Sequence, residues 1–165
     1  MIVAFSQDSR AYINHPYLTS EIMRPVFIVD DSADYRFLLN HFLGRFLPKE
    51  KIEFFDGAGS LLDRVAAIDG TAKDEEFPAL IMLDLNMEEM NGYELLQMLK
   101  NSGDEINPKW REIPVVINSA DYTDSVATKS LELGAMTFIR KSADLADLHS
   151  LKDFLAGYLQ KYGSD

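Results

Sequence analysis

From Pro25 onward, short apolar runs alternate with longer stretches whose apolar residues recur every three or four positions. The short runs are VFIVD at 26–30, KIEFF at 51–55, ALIMLD at 79–84, IPVVINS at 113–119 and AMTFIRK at 135–141. Continuous apolar runs of this kind predict parallel strands covered on both faces. Between them, Tyr35, Leu38, Leu39, Phe42 and Phe46 share one face of a helix predicted over 32–47. Leu61, Leu62, Val65 and Ile68 predict a second helix over 58–68, and Leu95, Leu96 and Leu99 a third over 91–101. The segment 124–133 is the least apolar, anchored by Val126 and Leu131. The last helix, 143–162, carries Leu145, Leu148, Leu151, Leu155 and Leu159. Five strand–helix units in a row predict an α/β fold, one doubly wound five-stranded parallel sheet with helices on both faces.

Two charged connections, 69–78 and 101–114, read as surface loops. Residues 1–24 stand outside the rhythm as an N-terminal extension, although Ile2, Val3, Phe5, Tyr12, Ile13, Tyr17 and Leu18 give it apolar content. The domain then spans 25–162 and leaves no room for an output domain.

Composition narrows the chemistry. The 165 residues include no cysteine, which excludes disulfides, thiolate zinc sites and cysteine nucleophiles. A net charge of −11 disfavours direct contact with nucleic acid. No apolar run approaches the roughly 20 residues that span a bilayer, so a cytoplasmic protein without membrane insertion is expected.

The carboxylates carry the sharper signal. Asp30 and Asp31 end the first strand, and Asp84 ends the third. In the flavodoxin-like strand order 2-1-3-4-5 these strands are neighbours at the switch point, so the three acids would crowd one crevice. Two unit charges about 4 Å apart repel by roughly 4 kcal/mol at an effective dielectric near 20. Such a cluster either holds a proton or binds a cation, and all-oxygen ligands suit Mg²⁺ or Mn²⁺. A lone strand-end Asp is more often a helix cap, and Asp31 or Ser32 is placed to cap the first helix. Ser119 and Lys141 end the fourth and fifth strands, which adds a hydroxyl and an ammonium at the same edge. Lys141 is long enough to reach a phosphoryl group on Asp84.

With these residues in place, the chain from 24 to 162 resembles a response-regulator receiver domain of two-component signalling, of the stand-alone, single-domain type. The resemblance implies that Asp30 and Asp31 are the acidic pair, Asp84 the phospho-acceptor, and the Asn86 carbonyl a further metal ligand. It implies that Ser119 and Phe138 are the switch residues, that Lys141 binds a phosphoryl oxygen, and that Gly92 opens the third helix. The implied reaction is Mg²⁺-dependent phosphoryl transfer from a sensor histidine kinase, with self-catalysed loss of the phosphate. It is not a conventional enzyme. The output would be binding of a downstream effector through the fourth and fifth predicted helices and the fifth strand, homodimerisation, or relay to a histidine phosphotransfer protein. Two departures stand out: Glu88 and Ser142 occupy positions where the family commonly has proline. The 101–114 loop is longer than in minimal receivers and resembles that of cyanobacterial phytochrome regulators.

Three other readings compete with this one. A haloacid-dehalogenase-type phosphatase has a second acid where this chain has Asn86. A nucleotide or flavin binder needs a phosphate loop after the first strand, where DDSAD is anionic and the Gly-x-Gly at 57–59 is a weak signal. A receiver-like adaptor that binds partners without phosphorylation usually lacks an acid or the lysine, and here none is missing.

Overall fold

The computed structural model of the chain describes residues 24–71, 73–101, 103 and 106–163, so all of the expected extension but Arg24 lies outside the described residues. Five strands form one sheet: β1 (Val26–Val29), β2 (Ile52–Phe55), β3 (Leu80–Leu83), β4 (Val115–Ser119) and β5 (Thr137–Arg140). They lie in the order β2-β1-β3-β4-β5 and every pairing is parallel, as the sequence predicts.

Strand alternation sorts the core into two layers. Phe27, Val29, Ile81, Leu83, Val115 and Ile117 pack against α2 (Ala58–Thr71), α3 (Gly92–Asn101) and the single turn α4 (Lys109–Glu112). Val26, Ile28, Leu80, Met82 and Val116 pack against α1 (Ala33–Leu43) and α6 (Leu145–Tyr162). The helix α5 (Asp124–Glu132) lies more loosely over the first layer through Val126.

The first helix is shorter than its apolar spacing predicts. Ser32 caps it, its Oγ accepting from the Tyr35 N–H at 3.3 Å, and Gly44 ends it. Phe46 therefore falls beyond the helix and is 45% exposed, against the expectation that it shares the buried face. In α5 the buried side chain is Ser130, whose hydroxyl donates back to the Val126 carbonyl at 2.7 Å, while Leu131 points outward. Leu145 likewise begins α6 on its exposed side.

The connection 101–114 is more than a surface loop. Its turn α4 drives Trp110 into the core with no exposed surface, against the Phe77 ring at 5.0 Å. Both carboxylate oxygens of Asp69 hold this segment, accepting from Trp110 Nε1 at 2.8 Å and from the Asn107 N–H at 3.1 Å. Lys100 donates to the carbonyls of Arg111 and Ile113 at 2.9 and 2.5 Å. Among the described residues no helix is long and apolar enough to cross a membrane.

Replacing Trp110 by Ala empties a large buried volume, and the expected loss is about 3–5 kcal/mol. Urea unfolding followed by far-ultraviolet circular dichroism measures it. A loss below about 1 kcal/mol, the size of an ordinary substitution, would show that the connection carries no core load.

Candidate functional site

Three of the candidate residues, Asp30, Asp84 and Lys141, are delivered by the last rung of a strand. The Asp30 N–H donates to the Phe55 carbonyl at 3.1 Å, Asp84 to Val29 at 2.9 Å, and Lys141 to Ser119 at 2.9 Å. The register pairs Val29 with Leu83, so the residues that follow them, Asp30 and Asp84, emerge side by side. One carboxylate oxygen from each of Asp30, Asp31 and Asp84 lies within 4.8 Å of the others. Asp30 and Asp84 are buried, whereas Asp31 is half-exposed.

Lys141 holds the buried pair together. Its Nζ is 2.7 Å from Asp30 Oδ2 and 2.8 Å from Asp84 Oδ2. Burial works against the ammonium, but hydrogen bonds to both acids outweigh it and raise its pKa above the ordinary lysine value. Burial also raises the Asp30 pKa, and the Asp84 charge adds to this, so Lys141 offsets the shift only in part.

Three of the remaining acid oxygens are met by main-chain N–H groups. Ser32 donates to Asp30 Oδ1 at 2.9 Å, Asn86 to Asp84 Oδ1 at 3.2 Å, and Glu88 to Asp31 Oδ2 at 3.1 Å. The last bond exists because position 88 is not proline, which has no N–H to give. Ser119 is fully buried, and its Oγ accepts from Asn86 Nδ2 at 3.4 Å. Phe138 is half-buried with its ring 5.3 Å from Tyr122. The structure thus brings Asp30, Asp31, Asp84, Asn86, Ser119 and Lys141 to one edge of the sheet, with Phe138 at its flank.

Gly92 sets the depth of this edge. Its N–H donates to the Leu85 carbonyl at 3.0 Å, and a Cβ there would stand 2.3 Å from the Asp84 carbonyl oxygen. Only glycine lets α3 start so close to the acid.

Residues 26–152 match the family model described as the response regulator receiver domain. The chain belongs to this family. The receiver is 43% identical over 76 residues to the two-component response regulator ARR5 of Arabidopsis thaliana, a match covering 46% of this chain and 39% of that protein. It is 28% identical over 127 residues to the response regulator Rcp1 of Synechocystis sp., covering 76% and 82% of the two chains. The receiver thus spans well under two thirds of the length of ARR5 and of the related ARR6 and ARR3, at 39%, 38% and 54%. Among solved structures, the Mn²⁺-bound form of Rcp1 superposes with a TM-score of 0.63 at 24% identity, covering 84% and 96% of the chains. The phosphorylated cyanobacterial phytochrome response regulator RcpA gives 0.68 at 22%, covering 84% and 95%. Both speak to the fold.

Two polar residues near this edge escape sequence reading. Tyr35 looks like one apolar position of α1, and Asn118 like a polar interruption of β4, yet the Tyr35 hydroxyl donates to Asn118 Oδ1 at 3.0 Å. Burial and then the Asp30 charge push the Tyr35 phenol up to about 12, so it remains a donor at neutral pH. The two residues stand 83 positions apart, so local patterning does not pair them.

Gly92→Ala is expected to cost about 1–3 kcal/mol, the usual range for overpacking, and to displace the Asp84 loop. Thermal unfolding together with amide chemical shifts at 84–88 tests both. An unchanged midpoint with unchanged shifts would mean that α3 does not set the position of Asp84.

Proposed function

We propose that the chain works as a stand-alone response regulator that accepts a phosphoryl group from a sensor histidine kinase on Asp84, in a Mg²⁺-dependent reaction. The observation that carries this reading is the placement of Asp84 Oδ2 at 2.8 Å from the Lys141 ammonium, inside a cluster of three carboxylates. Receiver domains bind Mg²⁺ or Mn²⁺ at such an acidic pocket, and work with histidine kinases and effectors. The donor set fits: the acids are hard oxygen ligands, and the half-exposed Asp31 leaves one side open to water. Asp30, Asp31, Asp84 and the Asn86 carbonyl would hold the ion. When bound, Mg²⁺ supplies positive charge against the oxygens of the transferring phosphoryl group.

The Asp84 carboxylate oxygen attacks phosphorus in line as the phosphorus–nitrogen bond of the kinase phosphohistidine breaks. The imidazole leaves with its electron pair and takes a proton from water. Lys141, already paired with Asp84, moves its hydrogen bond to a phosphoryl oxygen and neutralises part of the new charge. Attack by water on the same phosphorus later releases inorganic phosphate and restores the carboxylate.

The modification replaces the single carboxylate charge by a phosphoryl group of about −1.5 to −2, a net gain of up to about one negative charge at the sheet edge. The Ser119 hydroxyl then gives a hydrogen bond to the phosphoryl group and leaves Asn86, and Phe138 moves with it against Tyr122. This reshapes the face of α5, β5 and α6, where Tyr122, Leu131, Met136 and Leu145 are exposed at 42%, 50%, 40% and 64%. That face suits a protein partner, whether an effector, a histidine phosphotransfer protein or a second copy. The net charge of −11 argues against direct contact with nucleic acid, and the reading places the protein in the cytoplasm with its kinase.

Intact-mass spectrometry with acetyl phosphate and Mg²⁺ tests the reading. The wild type is expected to gain one phosphate, and to gain none with Asp84→Asn or with excess EDTA. Lys141→Ala should slow the gain by about 100-fold, as for loss of one charge-stabilising donor. Labelling of Asp84→Asn at the wild-type rate would overturn the assignment.

A further inference from the structure

The reaction assigned to Asp84 depends on where the Lys141 ammonium points, and lysine is a long, flexible side chain with a strongly hydrated head. The structure surrounds it with a second set of contacts. Lys141 Nζ stands 4.7 Å from the centre of the Tyr35 ring. The Tyr35 hydroxyl donates to Asn118 Oδ1 at 3.0 Å. Asn118 in turn donates through Nδ2 to the Ile139 carbonyl at 3.2 Å. The main chain is therefore tied two residues before Lys141, while the ring forms a floor beneath the ammonium.

This polar group is set in an otherwise apolar layer. Asn118 is 2% exposed and Tyr35 8%, among Leu39, Leu148 and their neighbours. A buried amide and phenol are tolerated there only because each finds partners. A hydrophobic pair would fill the space without that demand, so packing alone does not account for the choice.

The geometry points to Tyr35 and Asn118 as positioning residues, a hydrogen-bonded clamp that aims the Lys141 ammonium at Asp84. The inference rests on Asp84 being the phosphoryl acceptor. The clamp touches neither the transferring group nor the acids; it acts through Lys141.

Phosphorylation kinetics with acetyl phosphate at saturating Mg²⁺ test it, alongside Mg²⁺ affinity by calorimetry. Tyr35→Phe keeps the ring and removes only the hydroxyl. It should lower the transfer rate by about tenfold, the scale of a small misplacement of a reacting group, with Mg²⁺ affinity unchanged. Asn118→Leu should match it, and the double variant should be no slower than either, because the two residues act as one unit. The ¹⁵N resonance of the Lys141 ammonium should shift in Tyr35→Phe. An unchanged rate, additive losses, or a loss confined to thermal stability would each overturn the clamp. A wild type that takes no phosphate would remove the underlying reading and the clamp with it, whereas normal wild-type labelling with unaffected variants would remove the clamp alone.

Discussion

Three carboxylates crowd the edge of this sheet and one ammonium pairs with two of them, and the rest of the site follows from that imbalance. Their oxygens lie within 4.8 Å of one another, and Lys141 contacts Asp30 and Asp84 at 2.7 and 2.8 Å. At that spacing each like-charged pair costs roughly 4 kcal/mol at an effective dielectric near 20, and each attractive pair returns a similar amount. Three negative charges against one positive leave an excess of two. A divalent cation would remove that excess, and on the proposed reading a phosphoryl group on Asp84 would restore about half of it. The chain pays for this crowding with main-chain N–H groups from Ser32, Asn86 and Glu88, each donating to one of the acids.

Placement of these groups needs little beyond the sheet itself. Asp30, Asp84 and Lys141 are the first residues past their strands, and each is still hydrogen-bonded to the neighbouring strand. A strand-order expectation together with five apolar runs therefore suffices to bring them together from sequence. The crevice of acids, the ammonium and the hydroxyl of Ser119 were all legible, because strand ends in a parallel sheet share one edge.

What was not legible depends on side chains that meet across the fold. Phe46 fits the apolar spacing of α1, but Gly44 stops the helix before it. Leu131 fits the spacing of α5, but that helix turns Ser130 inward. Trp110 lies in a segment whose charge and prolines suggest a loop, and its burial rests on Asp69, 41 positions earlier. The pairing of Tyr35 with Asn118 is of the same kind. Local periodicity carries no information on such partners. The departure from proline at Glu88 was visible as a departure but not as a gain: it supplies an N–H that Asp31 accepts.

The central claim is that the uncompensated charge of the acidic cluster makes this edge a divalent-cation site. Titration of Mg²⁺ followed by amide ¹H–¹⁵N spectra tests it most directly. The account predicts saturable shifts confined to residues 30–32, 84–88 and 141–142, lost in Asp31→Ala. Saturable shifts clustered elsewhere on the surface, or none at all, would contradict it.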